Sequence, residues 1–294
     1  MDSCSEPPDR PSTDRLPGGE RLGALLRVLD LPGERLDPMV VAFPDELKAY
    51  TEFSVSDQDR RLGVMVRGQG PDFTRRVSRF MDAAGVAAPR LRRFEAAARY
   101  FEHVNLFFKV EVDAVGIQEM SWYFRRRPSV DVALQFLSAD GLHDEAFVRR
   151  VASLLGKNTV HFVAGQESAG GASGAKLYFS QPDHPDAWTR IAAVARETDC
   201  GQAWEALDAQ AEGLRGRFSF VSVGWSEGQR VPGFKLDVRQ LGGGTLGRIV
   251  RGAGPDAIRR IHLLLSLYDK EGVDYAGFRL APGRERSTKV YAAR

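Results

Sequence analysis

Apolar and polar residues alternate in short runs that return along the chain at a nearly fixed interval. Lys176-Leu177-Tyr178-Phe179-Ser180 is the clearest run. Related runs stand at Gly63-Val64-Met65-Val66-Arg67, Ser121-Trp122-Tyr123-Phe124-Arg125, Lys235-Leu236-Asp237-Val238-Arg239 and Lys289-Val290-Tyr291-Ala292, so successive starts are 54 to 59 residues apart. A period of two predicts half-buried strands with one apolar face. The other face carries Arg67, Tyr123, Arg125, Lys176, Tyr178, Lys235, Asp237, Arg239, Lys289 and Tyr291. So many cations have no place in a packed core, and that face must meet water or an anion.

Each run has a partner strand before it, predicted over 50–56, 104–113, 159–164, 218–223 and 273–275. In the second partner Phe107, Lys109 and Glu111 alternate with Leu106, Phe108, Val110 and Val112. Between hairpins the spacing turns helical, as in Leu22, Leu25, Leu26 and Leu29, in Phe73, Val77, Phe80 and Met81, and in Ile258, Ile261, Leu264 and Leu265. Pro71, Pro128, Pro182 and Pro255 stand where helices start. Strands joined by short turns pair antiparallel. Five αββα units follow, with ten strands and about ten helices. Closing them in a ring removes the exposed sheet edges, giving an α+β barrel with helices outside and a polar, solvent-filled lumen. A (β/α)8 barrel fits worse, since it needs one strand per helix and parallel pairing. Residues 1–17, rich in Pro, Asp, Ser and Arg, are predicted to be a disordered tail, and 18–294 a single domain.

Composition narrows the function. The chain has 294 residues, 43% hydrophobic and 27% charged, and a net charge of +2, too small an excess for a dedicated nucleic-acid binder. Cys4 and Cys200 are the only cysteines, which predicts no disulfide framework and a reducing, cytoplasmic setting. The longest apolar run, 261–267, is too short to cross a bilayer, so no membrane partner is expected.

The αββα order, the Lys-x-Tyr runs at 176 and 289 and their relatives at 63, 121 and 235 resemble the ABBA-fold aromatic and peptide prenyltransferases over roughly residues 20 to 294. Size and strand order also look like the bacterial branch that modifies ribosomal peptides, so the acceptor is left open between an aromatic small molecule and a peptide side chain. The resemblance implies transfer of a dimethylallyl or longer prenyl group from an allylic diphosphate inside the lumen. By position it makes Arg67, Lys176, Lys235, Arg239 and Lys289 the diphosphate cradle, with Arg125 and Lys109 as lesser members, and Tyr123, Tyr178 and Tyr291 the shield of the allyl cation. Glu52, on the polar side of the first strand with Ser54 and Ser56, is implied as the base. His161 and Tyr275 are further lumen candidates. Ser121 and Asp237 depart from the pattern, standing where a lysine and a tyrosine would. No DDxxD-type pair is present to clamp a magnesium cluster; any Mg2+ would come with the diphosphate.

Other readings of the same residues exist. Solvated Lys and Arg on open sheet faces would need no anion at all. A cationic lumen could hold an anionic ligand without catalysis. Gly224-Trp225-Ser226-Glu227-Gly228 matches the GxSxG nucleophile elbow after a strand, which would make Ser226 a hydrolase nucleophile, but a strand rather than a helix is predicted next. Gly242, Gly244 and Gly247 fit GxGxxG but read as linker glycines, and Gly170-Gly171-Ala172-Ser173-Gly174 reads as a hairpin tip.

Overall fold

The computed structural model describes residues 16, 19–138, 144–181, 186–210, 212–226, 233–249, 254–282 and 286–293. The predicted tail, apart from Leu16, lies outside the described residues, as does Pro182. Ten strands form: β1 (Thr51–Ser56), β2 (Leu62–Gly68), β3 (Leu106–Val112), β4 (Ile117–Phe124), β5 (Phe162–Ser168), β6 (Ser173–Ser180), β7 (Phe218–Ser226), β8 (Gly233–Gly242), β9 (Gly272–Leu280) and β10 (Ser287–Ala293). Each pairs antiparallel with its neighbours, and β10 pairs with β1 to close the barrel. At the seam Ser54 faces Tyr291 and Ser56 faces Lys289.

The outward faces of the strands are apolar and buried. Val64, Val66, Phe108, Trp122, Leu177, Phe179, Leu236, Phe278 and Val290 are each at most 1% exposed. They pack under a helical layer that includes α1 (Gly19–Leu29), α2 (Asp37–Ala42), α3 (Pro44–Ala49), α4 (Gly70–Ala83), α5 (Ala88–Tyr100), α6 (Val130–Ser138), α7 (Glu145–Leu155), α8 (Ala187–Glu197), α9 (Gly201–Asp208), α10 (Gly243–Ile249) and α11 (Gly254–Ser266). Between α2 and α3, Phe43 touches Phe73, Phe80 and Phe108 with ring centroids 5.6–5.7 Å apart, which ties the two helices and α4 to β3. Burying each such side chain contributes about 1.5–3 kcal/mol, and this layer is the hydrophobic core.

Several boundaries differ from the sequence reading: β7 runs on to Ser226, β9 spans Gly272–Leu280 rather than 273–275, and β3 is shorter, Leu106–Val112. β5 begins at Phe162 rather than 159 and runs on through Gly165, Gln166 and Glu167. Gly165 stays in the strand because the Trp122 indole occupies the space its side chain would fill, and buried Glu167 is held by Arg93 at 2.8 Å. Of the glycines read as a linker, Gly242 ends β8 and Gly244 and Gly247 fall within the short helix α10.

Candidate active site

Alternation along each strand sends every second side chain into the lumen. The end of the lumen away from the hairpin turns is hollow, a cavity of about 450 Å³. An aromatic collar surrounds it: Tyr50, Phe107, Tyr123, Phe162, Tyr178, Phe220, Tyr275 and Tyr291. Phe162 is its hub, with ring centroids 5.8 Å from Phe107, 5.9 Å from Tyr178 and 5.5 Å from Phe220. β7 contributes two adjacent residues, Ser219 and Phe220, because its register against β8 shifts between Phe218 and Phe220. Such a bulge re-aims side chains that alternation alone would send to opposite faces.

Cations meet in the middle of the barrel. The Nζ atoms of Lys109 and Lys235 lie 5.3 and 5.0 Å from the centroid of the Tyr291 ring, and Lys235 also donates to the Tyr291 hydroxyl at 3.0 Å. Aromatic faces attract ammonium groups, so this ring fixes two of them near each other. Carboxylates accompany the lysines: Glu111 lies 2.6 Å from Lys109 and 2.5 Å from Lys289, and Asp237 lies 2.6 Å from Lys235. Burial by itself would raise the Glu111 carboxyl, but Lys109 and Lys289 outweigh it and hold the group well below the usual carboxylate range.

Glu52 differs from the other acids. It is 5% exposed, its carboxylate accepts a hydrogen bond from the Tyr50 hydroxyl at 3.3 Å, and burial raises it to about 7 against the opposing pull of Lys109. Burial lowers Lys176 to about 8, and burial followed by Arg125 and Arg127 lowers His161 to about 4. His161 is therefore neutral at pH 7 and lines the cavity as a polar ring.

Ten of the residues singled out from sequence line this one cavity: Glu52, Arg67, Lys109, Tyr123, Arg125, His161, Tyr178, Lys235, Tyr275 and Tyr291. Lys176 and Lys289 are not among the lining residues, although they lie on the lumen face nearer the hairpin turns, Lys176 opposite Ala164 and Gly224 and Lys289 opposite Ser56 and Gly277. Arg239 is set apart. It is exposed, does not line the cavity and stands opposite Tyr275 near the end of β8. Ser226 ends β7 opposite Gly174, the next described element is the strand β8, and His262 is exposed on α11. Among the described residues no helix follows Ser226 before β8, as a nucleophile elbow would require. Glu227 and Gly228 lie outside the described residues.

Sequence reasoning passed over Tyr50, Phe107, Phe162, Phe220 and Glu111. Phe107 and Glu111 share Lys109's side by alternation and were legible there. Phe220 was not, because it depends on the bulge.

Comparison with solved structures finds the same architecture elsewhere. A 6-dimethylallyl tryptophan synthase superposes with a TM-score of 0.69 at 14% identity, covering 92% of this chain and 93% of the other. 6-Dimethylallyltryptophan synthase from Micromonospora olivasterospora, in complex with DMASPP and Trp, gives 0.64 at 15% identity over 97% of both chains. AnaPT from Neosartorya fischeri gives 0.66 at 12% identity, over 97% of this chain and 94% of that one. The fold is the ABBA prenyltransferase barrel. No family model and no curated protein sequence matches the chain.

An ABBA barrel of this kind can stabilise separated charges. Lys109 and Lys235 project into its lumen, and eight aromatic side chains line the cavity beside them. Glu52 and Lys109 stand on the same rung, Glu52 opposite Met65 and Met65 opposite Lys109, so their Cα atoms are about 10 Å apart across two strand spacings and both side chains enter the same lumen. Among the described residues no group of three His, Cys, Asp or Glu side chains could hold a metal ion, and no helix is long and apolar enough to cross a membrane.

Proposed function

We propose that the protein is an aromatic prenyltransferase that moves a dimethylallyl or longer prenyl group from an allylic diphosphate to an electron-rich ring. The observation that carries the reading is the pair of ammonium groups, from Lys109 and Lys235, fixed on the Tyr291 ring inside an aromatic-walled cavity that also holds a carboxyl titrating near 7. Lys109 and Lys235 bind the diphosphate, with Arg67 and Arg125 at the rim of the cavity and Lys176 and Lys289 supporting from the adjoining lumen. Breaking the allylic carbon–oxygen bond places negative charge on the diphosphate, and these fixed cations stabilise it as it forms. Tyr123, Tyr178 and Tyr291 offer π faces to the allyl cation. The acceptor ring attacks that cation, the new carbon–carbon bond forms, and Glu52 takes the proton released as aromaticity returns.

The comparison with a synthase solved with DMASPP and Trp supports a dimethylallyl donor and an aromatic acceptor; a tryptophan side chain, free or in a peptide, is the first acceptor to try. Any Mg2+ would arrive with the diphosphate. The cysteine usage favours a cytoplasmic setting. The test is incubation with allylic diphosphates of increasing length and a panel of aromatic amino acids, indoles and peptides, read by product mass. Lys109→Ala and Lys235→Ala are each expected to lower kcat/KM by about 10²-fold, the cost of one donor at a developing anion. Diphosphate that binds and is never released with any acceptor would leave a ligand-binding barrel instead.

A further inference from the structure

Three glycines face the lumen beside three of its lysines, and none is there for its backbone. Gly63, Gly224 and Gly277 lie inside β2, β7 and β9, and none has the positive φ that favours glycine. Glycine inside a strand weakens it, so another cause must operate. That cause is space. A methyl group on Gly63 would lie 2.6 Å from Cε and 3.2 Å from Nζ of Lys109, and closer still to Ser54 Oγ. On Gly277 it would lie 2.6 Å from Asp237 Oδ1, 2.8 Å from Lys235 Nζ, and closer still to Lys235 Cε. On Gly224 it would lie 2.8 Å from Cγ of Lys176. All are below or near the closest approach of bonded-free atoms, so the lysine would have to move.

The lysines use these slots to lie flat against the wall. Lys109, leaning over Gly63, reaches Glu111 and the Tyr291 ring; Lys235, leaning over Gly277, reaches Asp237 and the same ring from its own strand. A long, flexible side chain in an open lumen would otherwise sample many rotamers and carry that entropy cost into binding. We propose that Gly63, Gly224 and Gly277 are positioning residues, whose missing side chains set the direction and spacing of the Lys109, Lys176 and Lys235 ammonium groups for a pyrophosphate. The inference rests on the proposed function for its ligand, and on the geometry alone for its lysine placement.

The experiment pairs a ligand readout with one that needs no ligand. Inorganic pyrophosphate is titrated calorimetrically into the full chain and into Gly277→Ala, Gly63→Ala and Lys235→Ala, and into Gly277→Ala combined with Lys235→Ala. In parallel, NMR follows the ε-methylene signals of Lys235 and Lys109 beside the Tyr291 ring, whose ring current is expected to displace them from those of a free lysine. Gly277→Ala is expected to weaken pyrophosphate roughly tenfold, the loss of about one charge-assisted contact, to return the Lys235 signal toward its free position, and to cost nothing further in the Lys235→Ala background. Thermal stability is expected to fall as Lys235 leaves its buried pair with Asp237, and the Lys235→Ala protein to show a comparable fall. Should Gly277→Ala fail to fold, Gly63→Ala carries the same test through Lys109 and the same ring. Unchanged affinity with an unchanged lysine signal would overturn the inference. If the unsubstituted protein binds no pyrophosphate while Gly277→Ala still releases Lys235 from the ring, the lysine placement stands and the proposed function is what fails.

Discussion

Glu52 and Lys176 have the same backbone surroundings as their neighbours and owe their chemistry to burial. Glu52 titrates near 7 because desolvation outweighs Lys109 and the Tyr50 hydrogen bond. In its proposed role as base it works only when ionised, so turnover should rise with pH through about 7, and Glu52→Gln should remove that limb and lower kcat by about 10²–10⁴-fold. Stability has the opposite sign. The folded protein holds this proton more tightly than the unfolded chain, so stability falls as pH rises from 4.5 toward 7. Denaturant titrations should therefore find Glu52→Gln more stable than the parent above that window and level with it below. Lys176, lowered to about 8, loses its charge as pH rises through that value. Pyrophosphate binding should weaken over the same range with uptake of a proton, and calorimetry in buffers of different ionisation heat should find that uptake absent in Lys176→Ala. Sequence alone marked both residues as facing the polar side. It could not give their depth in the barrel, which decides the titration.

At the scale of elements, strand and helix patterns were largely legible, and the misses share a cause. Gly165-Gln166-Glu167 looks like the end of a strand, yet β5 continues because partners distant in sequence complete it: Trp122 fills the place beside Gly165, and Arg93 of α5 meets Glu167. Arg93 also donates to the Gly174 carbonyl at 3.1 Å, so this one guanidinium joins the helical layer to β5 and β6. Glu167→Ala leaves that buried charge without its carboxylate. A loss of about 3 kcal/mol is expected, seen as a lowered denaturation midpoint, with pyrophosphate binding kept because the pair lies outside the lumen. Equal stability of the variant would mean that the pair contributes nothing to docking α5.

For the whole molecule the decisive event is closure. β10 carries Lys289 and Tyr291 to the far edge of β1, where Tyr291 meets Ser54 in register and its ring receives Lys109 from β3 and Lys235 from β8. Removing 287–294 would open two sheet edges and take away the ring on which the two ammonium groups converge. Such a truncation is expected to lose cooperative unfolding and to associate through its edges, measured by calorimetry and sedimentation. A monomer that still unfolds in one sharp transition would show that the remaining nine strands close without it.

The chain's alternation and its repeat of 54 to 59 residues determined the strands, their antiparallel pairing, the helical layer and the side of each strand that meets the lumen, because those follow from local spacing. The tertiary structure alone decided which lumen residues meet. Alternation assigns a side chain to a face but gives neither its height along the barrel axis nor the space beside it. Strand stagger and the open space at Gly63 and Gly277 accompany the meeting of Lys109, Lys235 and Tyr291, a bulge in β7 turns Phe220 inward, and Arg239 is left outside the cavity.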